Sequence, residues 1–80
     1  MPKLRSLSGQ DLLRIFSKFA FVKFSQRGSH VKLRRNTAGG KQILTVVLHD
    51  EVDKGTLQAI FRQASRYVSE ADLAPYFFTE

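Results

Sequence analysis

Between Val22 and Arg34 the chain reads VKFSQRGSHVKLR, apolar and polar residues alternating except around Gly28. A period of two sends successive side chains to opposite faces of a strand, so this pattern constrains the fold more than any other feature of the sequence. A second interruption, Asn-Thr-Ala-Gly-Gly at 36–40, reads as a turn cluster. Beyond it ILTVVLH, 43–49, is β-branched and apolar enough for a central or well-covered strand. Three strands are expected, over 21–26, 30–35 and 43–49, joined as an antiparallel meander.

The alternation also proposes a register. With Arg27-Gly28 as a two-residue loop, Gln26 faces Ser29, Phe24 faces Val31 and Val22 faces Leu33. With Arg35 opposite Gln42, Leu33 faces Leu44 and Val31 faces Val46. Both hairpins then set apolar against apolar, and a slip of one residue would turn every side chain over. The other, open face would carry Lys23 and Ser25, then His30, Lys32 and Arg34, then Thr45, Val47 and His49, with Phe21 landing there too. Arginine is not a type I′ turn residue, so a slightly longer first loop is an alternative.

Helices flank the meander. Ser8 with Asp11 three residues on makes a capping box, and Leu12, Ile15, Phe16 and Phe19 form one apolar stripe, predicting a helix over 8–19. Leu57, Ile60, Phe61 and Ala64 predict a second helix over 55–67. Ser69 and Asp72 open a short last helix that Leu73, Tyr76 and Phe77 would dock. The order α-β-β-β-α with a short C-terminal helix is an α+β fold: a three-stranded antiparallel sheet, helices on one face, the other face open. Eighty residues without a repeat or linker make one domain, 1–80.

All seven acidic residues lie at Asp11 or from Asp50 onward, leaving 38 residues without a carboxylate. That stretch carries Arg14, Lys18, Lys23, Arg27, Lys32, Arg34, Arg35 and Lys41, and the whole chain is +6. Such a basic half is an electrostatic footprint for polyanions, nucleic acid first among them, although a solvated face would look the same. No cysteine is present, which excludes disulfides and thiolate metal sites. No segment reaches the ~20 apolar residues of a membrane span, and MPKLRSLSGQ holds no signal core, so a cytoplasmic location is expected.

His30 stands among these cations on the expected open face. Histidine suits the task of taking a proton from a ribose 2′-OH, because an unperturbed imidazole titrates near neutral pH. The plain alternative is a surface histidine in a basic strand. His49, diagonal to His30 in the expected register at roughly 7–8 Å, is either a helper acid or merely the end of its strand. There is no phosphate-binding glycine motif, and two histidines with the acids elsewhere give poor metal spacing. Neither cofactor nor metal is expected.

Three blocks resemble the HicA family, the toxin half of HicAB toxin–antitoxin systems: SGQDLLRIFSKFAF, QRGSHVKLRR and LTVVLHDEVDKGTLQAIFRQA. They cover most of residues 8–64 in the family's order. The resemblance implies a double-stranded-RNA-binding-domain-like fold, ribosome-independent endoribonuclease activity on mRNA, and a HicB-like antitoxin as partner. The family's catalytic histidine falls on His30, with Lys23, Arg27, Ser29, Lys32 and Arg34 around it as the residues expected to hold single-stranded or locally unpaired RNA. Val31 stands where many members have a second histidine, Val47-Leu48 precede His49 where many have a proline before the strand-ending histidine, and Ser65 stands where glycine is common. The alternative is a non-catalytic RNA-binding module of the same fold. That alternative is opposed by the run Asp50-Glu51-Val52-Asp53-Lys54, where groove-spanning modules place cations.

Overall fold

The computed structural model describes residues 2–79. A short β1 (Lys3–Leu4) leads to α1 (Gly9–Ser17). The meander follows as β2 (Val22–Arg27), β3 (His30–Thr37) and β4 (Gly40–Val47). Then come α2 (Lys54–Ala64), α3 (Glu70–Phe77) and β5 (Phe78–Thr79). The strand order β2-β3-β4 is the expected antiparallel sheet, and β1 pairs with β5 as a small second sheet that the sequence did not announce. No helix is long and apolar enough to cross a membrane among the described residues.

Local chemistry sets the helix ends. The Ser8 hydroxyl accepts from the Asp11 N–H at 3.0 Å while the Asp11 carboxylate accepts from the Ser8 N–H at 2.9 Å, the reciprocal box read from the sequence. The helix stops at Ser17, short of the expected Phe19. Phe21 N–H donates to the Phe16 carbonyl and Ala20 N–H to that of Ser17, a Schellman closure with Ala20 at φ 68° in the position glycine usually takes. Asp53 caps α2 through the Thr56 N–H and hydroxyl, and Ser69 caps α3 through the Asp72 N–H. The expected second helix ran to 67, but Tyr67 and Val68 donate back to Ala64 in a turn beyond the helix end.

The β3–β4 register is the expected one, with Val31 opposite Val46 and Leu33 opposite Leu44, all four buried. The expected turn at 36–40 is tighter, because β3 runs to Thr37 and β4 starts at Gly40. The expected β2–β3 register is wrong. The loop is Gly28-Ser29 rather than Arg27-Gly28, with Arg27 opposite His30, and a bulge lies between Lys23 and Ser25. Gly28 takes φ 58°, which glycine adopts without steric cost and arginine does not, so the glycine moves to the first loop position.

Four residues lie elsewhere than expected, three of them because the bulge reverses their faces. Val22 and Phe24, expected inside, are exposed. Lys23 sits opposite Leu33, on the parity of the packed face, and is not part of the open face. Phe21, expected on the open face, is 1% exposed and packs edge-on against Phe16 with centroids 6.2 Å apart. The Schellman closure turns it inward before β2 begins.

The core lies between the sheet and the helices, with Leu12 and Phe16 of α1, Leu57 of α2, and Leu73 and Phe77 of α3 fully buried. Gly9 lets α1 touch the sheet. A Cβ there would strike the Val47 carbonyl and lie 2.5 Å from Leu48 Cα. Arg35, one of the cations near His30 in sequence, is structural: its guanidinium donates to Gln42, to the Phe19 carbonyl and to the Tyr67 carbonyl, and lies 4.7 Å from the Phe21 ring centroid.

Candidate functional site

The open face is organised in three cross-strand rows. The first is Arg27, His30 and Val47; the second Ser25, Lys32 and Thr45; the third Val22, Arg34 and Ile43. Successive rows are about 6.6 Å apart along β3. The first two rows apart from Val47, with Gln26 at the edge, line a cleft of about 590 Å³ whose residues are Ser25, Gln26, Arg27, His30, Lys32 and Thr45. His30 is exposed in it, flanked by two fixed cations, and none of the lining residues is a carboxylate. A larger depression of about 730 Å³, between α1 and α3, holds neither histidine. An exposed imidazole beside two cations, with no carboxylate in the lining, makes this cleft the candidate site.

The backbone holds this cleft from behind. The Leu48 N–H donates to the Ser29 carbonyl at 2.7 Å, tying the β2–β3 turn, and with it His30, to the end of β4. Ser29 is thereby fixed through its main chain next to His30. Gln63 of α2 spans both main-chain groups of Thr45, accepting from its N–H at 2.9 Å and donating to its carbonyl at 3.2 Å. That pair closes the β4 edge and fixes the cleft wall. Its only sign in the sequence is a polar residue flanking the apolar stripe of α2.

The remaining expected site residues divide. Arg27 and Lys32 line the cleft, and Arg34 lies one row further along the same face. Lys23 turns to the β2 edge, its Nζ 2.6 Å from Gln26 Oε1. His49 lies past β4, which ends at Val47 instead of 49. It is exposed, its carbonyl accepts from the Gly9 N–H at 2.8 Å, and it does not line the cleft. Among the described residues no group of three or more histidine or acidic side chains gathers as a metal site.

The architecture is that of a small α+β domain with its helices on one sheet face and a basic histidine cleft on the other. A family model described as the HicA toxin of bacterial toxin–antitoxin matches residues 9–65, and the chain belongs to that family: it is the toxin of a toxin–antitoxin pair. No curated protein and no solved structure matches it.

Proposed function

We propose that this toxin is a metal-independent endoribonuclease that cleaves mRNA in the cytoplasm, with His30 as general base. The observation that supports it most is the exposed His30 ring in a cleft with Arg27 and Lys32 and no carboxylate. His30 takes the 2′-OH proton, the 2′-oxygen attacks the adjacent phosphorus, and the 5′-oxygen departs with a proton from water, leaving a 2′,3′-cyclic phosphate. Arg27, Lys32 and Arg34 hold the phosphates. A HicB-like antitoxin covers this face; an acidic partner would associate quickly, and more slowly in high salt.

A non-catalytic RNA-binding module is the weaker reading. The start of α2 presents Asp50, Glu51 and Asp53, and Asp53 is engaged as the helix cap. Carboxylates there repel the phosphates that such modules bridge.

Purified RNA incubated with the protein in EDTA tests the proposal. Wild type should cut, and His30→Ala should cut about 10²–10⁴ more slowly while still binding RNA and remaining folded by circular dichroism. A folded His30→Ala protein cutting at the wild-type rate would move the base elsewhere, His49 being next to test.

A further inference from the structure

Two large apolar side chains stand out from the described surface, Val22 at 61% and Phe24 at 43% exposed. The bulge between Lys23 and Ser25 lets Phe24 turn to the open face, where the Arg34 guanidinium lies 4.9 Å from its ring centroid. Val22 stands opposite Arg34 in the same row. The result is an exposed aromatic ring with a half-buried planar cation over it, at the far end of the row series that begins with His30.

We propose that Phe24 and Arg34 form a stacking platform for one unpaired nucleobase of the RNA, flanking the scissile phosphate. This rests on the cleavage reading above and adds where the strand runs. Arg34 is four residues along β3 from His30, about 13 Å at the rise of a strand, with Lys32 between them. A backbone laid from His30 over Lys32 brings a neighbouring base to Phe24. Any nucleobase offers a π-face, so a platform of this kind holds RNA with little regard to sequence. A base locked in a duplex cannot reach it, because its faces are covered by its neighbours. The platform therefore selects single-stranded or locally opened RNA.

Charge favours a nucleic acid over the other occupants. Arg27, Lys32 and Arg34 share the face, and the cleft beside the platform has no acidic lining. A second copy of the chain docked face to face would oppose those cations to themselves. An apolar anchor from the antitoxin is the remaining competitor, and the experiment separates it.

Short single-stranded RNA with one cleavage site is cut in EDTA by wild type, Phe24→Ala and Phe24→Trp, and kcat and KM are measured for each. Phe24→Ala should raise KM about 5- to 150-fold with kcat changed little, and Phe24→Trp should restore KM. Replacing one flanking base by an abasic unit should cause the same loss in wild type and no further loss in Phe24→Ala. In a His30→Ala background, the Phe24→Trp fluorescence should be quenched as uncleaved RNA binds. An unchanged KM in folded Phe24→Ala overturns the platform while leaving cleavage intact. So does a variant that loses only antitoxin affinity, which assigns the ring to the protein partner. Wild type that neither binds nor cuts RNA overturns both this proposal and the one it rests on.

Discussion

The two hairpins share β3 and are built on different terms. In β3–β4, eight consecutive pairs run from His30–Val47 to Thr37–Gly40 without a slip. In β2–β3 the pairing jumps between Lys23 and Ser25, and every residue of β2 is exposed. Burial explains the contrast. Val31, Leu33, Leu44 and Val46 face the helices, so shifting β4 by one residue would expose an apolar row. On the outer side, Gln63 occupies the β4 edge. Among the described residues no helix side chain bonds the β2 edge in this way, and all of β2 is exposed, so a bulge is tolerated there, as is common at sheet edges. One hairpin holds the fold; the other spends its freedom on the open face, where the candidate chemistry is.

The sharpest way to break this comparison is a pair of truncations. Leu44→Ala should cost about 2–5 kcal/mol in urea unfolding, as buried leucines do. Phe24→Ala, on β2, should change stability by about 0.5 kcal/mol or less, as ordinary surface changes do. Equal costs would mean that β2 is as firmly held as β4. A smaller effect is expected from Gln63→Ala, about 1–3 kcal/mol for leaving the half-buried Thr45 main-chain groups without partners. Amide exchange at Thr45 should accelerate in that variant while exchange at Ser25 is unaltered; acceleration at both would show one cooperative sheet with no division between hairpins.

The smallest effect belongs to the helix caps behind the sheet. Asp11 is held below the ordinary aspartate pKa, by the Ser8 N–H first, then the Ser8 hydroxyl, with Arg14 adding to it. Asp53 is lowered by the Thr56 hydroxyl and then the Thr56 N–H. A carboxylate whose pKa is depressed in the folded state contributes stability at pH values above its unfolded pKa, and that contribution is lost as pH falls through the folded value. Stability of the wild type should therefore fall below about pH 4, and the double variant Asp11→Asn, Asp53→Asn should show a shallower acid limb. An unchanged limb would assign acid sensitivity to other carboxylates.

Much of the candidate site was legible because its orientation rests on β3–β4. The parity of Val31 and Leu33 sends His30, Lys32 and Arg34 outward whatever β2 does, and the structure places all three on one face. Of the β2 residues, Ser25 lies on the open face as expected, while those before the bulge are on the opposite side from the expected one. Lys23 was expected outside and lies on the packed parity, while Phe24 was expected inside and lies against Arg34 on the open face. The alternation in β2 is equally compatible with a loop at Arg27-Gly28 or at Gly28-Ser29. The two loops differ by two residues in pairing and leave every side chain on the same face; the one-residue bulge is what turns Val22, Lys23 and Phe24 over.

What the sequence determined by itself lies within a few residues of its cause: the Ser8–Asp11 box, the Asp53 and Ser69 caps, the apolar stripes of α1 and α2, and the outward turn of His30. Each depends on spacing along one element, so the chain encodes it locally. The tertiary structure decided what joins distant elements. Gln63 meets Thr45 across 18 residues, Arg35 meets Tyr67 across 32, and β1 pairs with β5 from opposite ends of the chain. No spacing rule reports such contacts, because they form only when packing has brought the backbones together and a buried or edge polar group then needs a partner.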